Sequence, residues 1–389
     1  MRKRLQAIGS LKVTDYFSID QLITTTAPAE ADRRNLKSAS EIVRDESFKV
    51  ETEWIMKSNY GSHHLLYTHS KMLTFTLGFF LIWFLCWWMR DKLKIGNVSD
   101  KYVFITGCDT GFGNLAAKAF DVDGFRVLAG CLTEEGAQDL KKETSSRLKT
   151  IMLDITKSDS IENATDLIKV EVGNRGLWGL INNAGIAGIF CPTDWLQIEH
   201  FRRPIEVNLL GPIEITLKLL PLIKKARGRI VNVSSVLGRL SLTGGGYFPS
   251  KFGMEAFNDS LRRDMKHFGI KVSCIEPGMF VTKLTDCNLQ RHGKQELWDH
   301  LSPDLKKQYG EKYLIQSDTR QENLVKKLSS TDLSKVVWCM EHALTAKYPR
   351  SRYSAGIDAK LLWIPMTYLP TFASDYLLAQ DIVIDSTAI

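Results

Sequence analysis

A tyrosine and a lysine four residues apart, Tyr247 and Lys251, are the side chains of this sequence best suited to acid–base chemistry. They stand at the start of a predicted helix, where residues i and i+4 share a face. An unperturbed tyrosine has a pKa of about 10 and is ionised only on the order of 0.1% at neutral pH. A neighbouring cation favours the phenolate. The pair therefore predicts that Tyr247 acts as a general base near neutral pH.

A serine hydroxyl beside that tyrosine would complete the chemistry. Ser234 and Ser235 end the preceding predicted strand, and a hydroxyl there is placed to hold a substrate oxygen beside Tyr247. The tyrosine–lysine spacing alone is not specific, because Tyr67 and Lys71 repeat it with no upstream serine. The interpretation therefore depends on the companions of the pair.

A glycine-rich turn far upstream predicts a dinucleotide site. The segment from Thr106 to Gly113 is Thr-Gly-Cys-Asp-Thr-Gly-Phe-Gly and lies between a predicted strand and an amphipathic helix. Gly107 and Gly111 let the backbone turn sharply and approach a pyrophosphate, and the helix N-terminus offers free N–H groups to it. The strand and helix around the turn supply the context that this motif requires.

The charge near this turn favours NAD over NADP. An NADP site needs an arginine or lysine near the ribose 2′-phosphate. The turn carries Asp109 instead, and the second predicted strand ends in Gly-Cys-Leu-Thr at residues 130–133, without an acidic partner for the 2′-hydroxyl. Because Asp109 would repel a second phosphate, we predict NAD.

Two more strand ends bring small or polar residues to the same edge of the predicted sheet. Asp154 ends the third strand and is placed to accept a hydrogen bond from the adenine amino group. The sequence Asn-Asn-Ala-Gly from Asn182 to Gly185 ends the fourth strand. Its small residues let the backbone lie against the adenine-side ribose.

These residues need a parallel sheet to bring them together, and the sequence predicts one. From Lys101 onward, short apolar runs alternate with amphipathic stretches, which is typical of a sheet covered by helices on both faces. The predicted fold class is α/β, a single Rossmann-like doubly wound sheet with right-handed crossovers. The predicted strands are 102–106, 126–129, 150–153, 177–181, 229–233 and 271–275, with helical periodicity clearest over 211–225 and 252–268.

An apolar segment precedes this domain. Leu73 to Met89 is a run of seventeen uncharged residues. At about 1.5 Å per residue it spans about 26 Å as a helix, which suits the hydrocarbon core of about 27 Å in the endoplasmic reticulum. A buried core helix would not usually be apolar all round, and no small-x-small cleavage site follows the run. We predict a transmembrane anchor at 72–94, and a disordered or alternative-start leader at 1–71.

Charges beside the anchor predict its orientation. Arg90, Lys92 and Lys94 follow the apolar run, and only Lys71 lies close on the other side. The positive-inside rule then places the following domain in the cytosol.

Composition excludes several other classes of protein. The 389 residues are 44% hydrophobic and 24% charged, which argues against wholesale disorder and against a multi-span membrane protein. The net charge of +7 is spread along the chain with no basic stripe, so we expect no nucleic-acid partner. The seven cysteines form no C-x-x-C pair, so we expect neither a structural zinc site nor a disulfide framework.

Together these motifs resemble the short-chain dehydrogenase/reductase superfamily. The resemblance is carried by Thr106-Gly-x-x-x-Gly-x-Gly, Asn182-Asn-Ala-Gly, Asn208, Ser235, Tyr247-x-x-x-Lys251 and Pro277-Gly278. Narrower stretches at 104–109, 232–239, 259–264 and 358–365 resemble its membrane-bound retinol and hydroxysteroid dehydrogenase branch. The similarity begins at about Met72, and residues 1–71 have no counterpart.

The resemblance implies roles for the catalytic residues. Tyr247 would accept the proton in alcohol oxidation, and Lys251 would lower its pKa and bind the nicotinamide ribose. Asn208 would hold a water that links Lys251 to solvent. Ser235 would position the substrate hydroxyl; Ser234 lies at the common family spacing, thirteen residues before the tyrosine, but counting forward from the strand favours Ser235, which we choose.

The resemblance also implies cofactor contacts at the end of the sixth predicted strand, where residues would contact the nicotinamide carboxamide. The residues expected to contact the cofactor are Thr106, Gly107, Asp109, Gly111, Phe112, Gly113, Asp154, Asn182, Ala184, Gly185, Tyr247, Lys251, Pro277, Gly278 and Thr282.

The remaining expectations concern substrate and setting. The family uses the region 282–330 as a substrate lid. The apolar segment from Leu361 to Pro370 could line the substrate entrance, lie at the membrane interface or pack as core. We expect an NAD-dependent oxidoreductase of lipophilic alcohols (retinol, 3α- or 17β-hydroxysteroids) in the endoplasmic reticulum membrane, with a homo-oligomer left open. The alternative is a membrane-tethered dinucleotide-binding scaffold without turnover.

Overall fold

A seven-stranded parallel sheet forms the centre of the structure. The structure is a computed structural model that describes the backbone of residues 46–378. It describes the side chains of residue 54 and of residues 70–378. The strand order is β3-β2-β1-β4-β5-β6-β7. Because the order reverses between β1 and β4, a ligand crevice is expected above these two strands. The strands are β1 (Tyr102–Thr106), β2 (Arg126–Cys131), β3 (Leu148–Met152), β4 (Gly179–Asn182), β5 (Arg229–Val233), β6 (Lys271–Pro277) and β7 (Arg352–Ala355).

Helices cover both faces of this sheet, which confirms the predicted fold class. On β1, Val103 and Ile105 pack against one apolar cluster, whereas Tyr102 and Phe104 pack against the other, as the two-residue period of a strand requires. The helices are α1 (Glu46–Lys92), α2 (Gly111–Val122), α3 (Glu134–Lys142), α4 (Ser158–Val172), α5 (Ile198–Ile205), α6 (Gly211–Ala226), α7 (Tyr247–Met265), α8 (Cys287–His300), α9 (Pro303–Tyr309), α10 (Glu311–Leu328), α11 (Ser334–Thr345), α12 (Ile364–Met366) and α13 (Thr371–Leu378). The first cluster lies under α2, α3 and α11, and the second under α4, α6 and α7.

Six of these strands follow the sequence prediction: β1 and β5 match the predicted bounds, and the other four differ by one or two residues at an end. The seventh strand was missed. Strand β7 has the sequence Arg-Tyr-Ser-Ala, with only Tyr353 and Ala355 buried. Such a short, half-polar strand carries no apolar run that would mark it. Helix α7 begins at Tyr247, five residues before the start of the predicted periodic stretch, and so places that tyrosine in its first turn.

The predicted anchor coincides with a long helix. Within the described residues, Ser70–Lys92 is the helical segment long and apolar enough to cross a membrane. Helix α1 begins at Glu46, so residues 46–71 of the predicted disordered or alternative-start leader are helical; the rest of that leader lies outside the described residues. Once a helix has formed, each added residue gains a hydrogen bond, and this favours its extension beyond the apolar run.

The chain divides between Cys86 and Trp87 into two compact units. In the second unit, residues just after the apolar run bind the segment between α11 and β7. The Arg350 guanidinium donates two hydrogen bonds to the Asp91 carboxylate, at 2.9 and 2.5 Å, and the Lys347 N–H donates to the Leu93 carbonyl at 2.6 Å. These residues are therefore packed as part of the second unit.

The region 282–330, called the lid below, forms helices α8, α9 and α10 between β6 and α11. Its two ends are joined, because the Ser330 N–H donates to the Met279 carbonyl at 2.9 Å and the Val281 N–H donates to the Ser330 carbonyl at 3.0 Å. An aromatic cluster holds the lid against the loop before α5. It consists of Trp195, Trp298, Tyr309 and Tyr313.

The apolar C-terminal segment packs partly as core, one of the alternatives left open. Trp363 is buried in a small core with Val236, which follows Ser235. Leu361 and Tyr368 are about three-quarters exposed, at 76% and 77%. Part of this segment is therefore core beside the candidate site, and part of it faces outward.

Candidate active site

A cleft of about 920 Å³ opens at the carboxyl edge of the sheet, above the switch between β1 and β4. Loops after β1 to β6, helix α7 and the lid contribute to its walls. The predicted residues that line it are Gly107, Asp109, Gly111, Phe112, Asp154, Ala184, Gly185, Ser235, Tyr247, Lys251, Pro277, Gly278 and Thr282. The structure thus brings both halves of the predicted site into one cleft.

Close packing explains two glycines of the turn after β1. Gly107 has a φ of +72°, and a Cβ there would lie 2.8 Å from the Ala184 Cα. A Cβ on Gly113 would collide with the Gly107 carbonyl oxygen and the Asn183 side chain. The turn therefore presses against the loop after β4, and its bare backbone forms the floor on which a pyrophosphate would rest.

Two predicted cofactor residues lie behind that floor instead of on it. The Thr106 hydroxyl accepts hydrogen bonds from the Asn183 and Ala184 N–H groups, both at 3.0 Å. The buried Asn182 side chain donates to the Asn232 side chain at 2.8 Å. Both side chains are buried and hold β1, β4 and β5 together, and their expected cofactor contacts stay predictions.

Asn183, the residue after Asn182, lines the cleft but was missed as a site residue by the sequence analysis. The Asn183 side chain donates to the carbonyls of Thr106 and Gly107, both at 3.0 Å. Its position after a short buried strand is a signal that sequence analysis had available, since the second of two asparagines points to the opposite side from the first.

The Asp109 side chain extends from the turn after β1 to the residues that follow β2. Its carboxylate accepts hydrogen bonds from the Leu132 N–H at 2.9 Å, and from the Thr133 N–H and hydroxyl at 2.8 and 2.7 Å. The carboxylate therefore stands at the end of β2, where an acidic partner for the ribose 2′-hydroxyl is usual. The turn after β1 supplies the acid that is missing after β2.

Asp154 is held as a carboxylate at the same edge. It accepts from the Thr156 hydroxyl at 2.7 Å and from the Thr156 N–H at 3.1 Å. Hydrogen bonding from the Thr156 hydroxyl, together with the Lys157 ammonium 3.3 Å away, lowers the pKa of Asp154. Asp154 lines the cleft, and its carboxylate is suited to accept a hydrogen bond from an amino group.

Tyr247 and Ser235 meet at the other end of the cleft. Burial raises the pKa of the Tyr247 phenol, and a hydrogen bond with Ser235 acts in the opposite direction. The Ser234 hydroxyl donates instead to the Lys251 main-chain carbonyl at 3.3 Å. The structure therefore brings Ser235 to the phenol and turns Ser234 beneath α7.

Lys251 lies one helical turn below the phenol. Its ammonium donates to the Val233 carbonyl at 2.9 Å and lies 5.6 Å from the centroid of the Tyr247 ring. Burial lowers the pKa of Lys251 to about 8. Desolvation of the buried phenolate is the largest influence on the pKa of Tyr247, and the expected effect of the Lys251 cation on that pKa stays a prediction.

Asn208 occupies a π-helical turn, Glu206–Leu210. Its side-chain oxygen accepts from the Ile186 N–H at 2.8 Å, and its amide donates to the Ile186 carbonyl and the Ser250 hydroxyl, both at 2.9 Å. Both amide hydrogens are thus used within the protein. The side chain fastens the loop after β4 to α7 beside Lys251, and its expected water link stays a prediction.

The nicotinamide end of the predicted site is supported by a residue that was not singled out for a role. A Cβ on Gly278 would collide with the Asp358 carboxylate, which accepts from the Met279 N–H at 2.7 Å. Thr282 opens the short turn Lys283–Thr285, and its N–H donates to the Thr285 hydroxyl at 3.1 Å. Asp358 belongs to the stretch 358–365 that carries the family resemblance. Only the folded structure shows that its carboxylate contacts the backbone at Gly278 and Met279.

Known proteins match this chain over most of its length. The family model for short chain dehydrogenase matches residues 101–292. The chain is 55% identical to dehydrogenase/reductase SDR family member 9 of Bos taurus, over 76% of this chain and 92% of that protein. It is 54% identical to retinol dehydrogenase 16 of Mus musculus (76% and 93%) and 49% identical to 17-beta-hydroxysteroid dehydrogenase type 6 of Bos taurus (77% and 94%).

Solved structures share the fold. A short-chain dehydrogenase from Streptomyces avermitilis is 24% identical with a TM-score of 0.56, covering 70% of this chain and 93% of that one. One from Burkholderia cenocepacia in complex with NADP is 19% identical with a TM-score of 0.54, covering 73% and 100%. Sequence identity, cleft and sheet order agree: the chain belongs to the short-chain dehydrogenase/reductase family.

Proposed function

We propose that this chain is an NAD-dependent oxidoreductase that interconverts lipophilic alcohols and carbonyls. The observation that carries the proposal is the meeting of Tyr247, Ser235 and Lys251 at one end of a cleft whose other end suits a dinucleotide. The fit of that cofactor rests on the floor at Gly107 and Gly113, where a Cβ would fill the space the backbone leaves. The bound dinucleotide would supply the hydride acceptor or donor.

Side chains of the protein would accept and donate the proton that is transferred in the reaction. In alcohol oxidation, Tyr247 first loses its own proton to solvent, and the phenolate then takes the hydroxyl proton as the carbinol carbon loses its hydride. The Ser235 hydroxyl holds the substrate oxygen beside it, and the Lys251 cation offsets the negative charge on the phenol. In carbonyl reduction, the same phenol donates its proton, and its raised pKa keeps it in that protonated form. Tyr247, Ser235 and Lys251 are all buried, and this burial limits the access of water to them during both oxidation and reduction.

The lining of the cleft supports a lipophilic substrate. The wall of the cleft includes the apolar residues Ile186, Ile189, Leu284 and Leu289. Relatives at about half identity are named retinol dehydrogenase 16 and 17-beta-hydroxysteroid dehydrogenase type 6. We therefore propose retinol and 3α- or 17β-hydroxysteroids as substrates.

A turnover screen tests this function. Membranes that carry the chain should oxidise retinol or an androstanediol with NAD, with ketone or aldehyde formed in step with NADH. Dinucleotide binding without turnover of any retinoid or hydroxysteroid would favour the scaffold alternative.

The preference for NAD is assigned to Asp109. A phosphate dianion about 6 Å from its carboxylate would be repelled by on the order of 1 kcal/mol per unit charge at an intermediate dielectric. Replacing Asp109 by Asn is therefore expected to reduce the NAD-over-NADP ratio of kcat/KM by about tenfold or more. Asp139→Asn, on the exposed face of α3, should leave the ratio unchanged. An unchanged ratio in Asp109→Asn would assign the preference elsewhere.

We also propose that Ser70–Lys92 anchors the protein in the endoplasmic reticulum with the catalytic unit in the cytosol, from the charges at Arg90, Lys92 and Lys94. Protease added to sealed microsomes should then digest the catalytic unit. Asn163, in an Asn-Ala-Thr sequon, has an exposed side chain, whereas Ala164 and Thr165 are buried. Protection from protease, together with an endoglycosidase-sensitive glycan on Asn163, would place the unit in the lumen.

A further inference from the structure

One lid side chain is bonded directly to the main chain of the substrate loop, residues 186–191. Gln290 on α8 is 5% exposed and lines the cleft. Its side-chain oxygen accepts from the Phe190 N–H at 3.0 Å, and its amide donates to the Gly188 carbonyl at 2.6 Å. The side chain thus pairs with the loop as a neighbouring strand would, through one acceptor and one donor.

The lid helix and this loop are also in tight steric contact. Gly293 lies almost one turn after Gln290, and a Cβ there would collide with the Cδ1 of Ile189. Helix α8 and the loop therefore lie so close together at Gly293 that no side chain fits between them. A displacement of α8 would break both hydrogen bonds of Gln290 and open this contact.

The same loop presses on the proposed acid–base residue. The Phe190 ring packs edge-on against the Tyr247 ring, with centroids 5.7 Å apart, and lies 5.3 Å from the Phe248 ring. The next residue, Cys191, forms a β-bridge with Gly244, three residues before Tyr247. The loop is therefore held between the lid on one side and the start of α7 on the other.

We propose that Gln290 is a positioning residue that couples the lid to Tyr247 through Phe190. Closure of α8 fixes the Phe190 main chain, and the Phe190 ring then fixes the tyrosine ring at the angle the substrate meets. The catalytic consequence rests on the function proposed above, whereas the coupling of lid and loop does not.

Gln290→Met tests the coupling, because methionine has similar length and forms neither hydrogen bond. Amide hydrogen exchange at Phe190 should become about two- to tenfold faster, as expected for loss of one neutral hydrogen bond. Gln295→Met is the matched control: it lies on the same helix, and its amide donates to Asp299 at 2.8 Å on the exposed side. That variant should leave exchange at Phe190 unchanged.

Kinetics test the catalytic consequence. Gln290→Met should lower kcat and raise the KM for the alcohol, together reducing kcat/KM about tenfold or more, while the Kd for NADH stays within about twofold. Phe190→Leu keeps the main-chain bond to Gln290 but removes the ring contact. The amide of residue 190 should still exchange slowly in this variant, and turnover should still be lost. If Gln290 only stabilised the loop, turnover would be retained.

The outcomes separate the two proposals. Unchanged exchange at Phe190 in Gln290→Met, or full turnover in both Gln290→Met and Phe190→Leu, would overturn the coupling. If the unmodified protein turns over no alcohol, the proposed function fails, and the exchange measurement still decides whether Gln290 holds the loop.

Discussion

Replacing Tyr247 by phenylalanine is expected to reduce turnover by about 10²- to 10⁴-fold, the range typical of a lost general acid–base group. The change removes one oxygen from the side chain. The ring that packs against Phe190 remains, so the fold and the cleft should be preserved. Binding of NADH, measured by quenching of tryptophan fluorescence, should therefore change little while kcat collapses.

The chain offers a matched control for this variant. Tyr67 precedes Lys71 by the same four residues that separate the catalytic pair, but it lies in α1 and not in the dehydrogenase-like unit. Tyr67→Phe should retain full turnover. Full activity in Tyr247→Phe, with NADH binding intact, would show that another group moves the proton.

Replacing Lys251 by methionine should have the second largest effect. In the proposed complex its ammonium binds the nicotinamide ribose and offsets the charge on Tyr247. Loss of a charge-assisted hydrogen bond removes about 1.5–3 kcal/mol, so NADH should bind about 10- to 100-fold more weakly, and kcat should fall as well. Lys271→Met, at the exposed start of β6, is the control and should change neither quantity.

The pH dependence of binding distinguishes this charge from a packing effect. Burial lowers the pKa of Lys251 to about 8, so the group is an ammonium below that pH and a neutral amine above it. The affinity of the unmodified protein for NADH should therefore fall about fivefold as the pH rises through 8, because a neutral donor binds less strongly by about 1 kcal/mol. Lys251→Met should lack this step. A step of equal size in the variant would assign it to a different group.

The core strands could be predicted because burial on both faces leaves a continuous apolar run. All five residues of β1 and of β5 are buried, and both strands match the predicted bounds. Strand β7 pairs with β6 at the sheet edge, and half of its residues are only partly buried. Its existence depends on tertiary pairing, which no local pattern records.

The candidate site divides in the same way. The glycine-rich turn and the tyrosine–lysine pair are local arrangements, so their spacing predicted where they lie. The bond between Gln290 and Phe190 joins residues 100 positions apart, and no spacing rule links them. Asp109 shows an intermediate case: its charge was recognised, but only the folded turn places that charge at the end of β2.

The pKa of Tyr247 shows what spacing leaves out. Four residues along a helix put Lys251 near the Tyr247 ring, but spacing does not reveal how deeply the two groups are buried. Burial acts on both groups and disfavours both charged forms, so the pKa of the phenol rises and that of the amine falls. The extent of burial was not visible in the sequence.

The most direct test of the account is isotopic. A retinol or 3α-hydroxysteroid deuterated at its carbinol carbon is incubated with NAD and the membrane-bound protein, and the reduced dinucleotide is analysed by mass spectrometry. The account predicts one deuterium on the nicotinamide ring for each carbonyl product formed. Reduced dinucleotide without the label, or binding of NAD with no carbonyl product from any such alcohol, would contradict it.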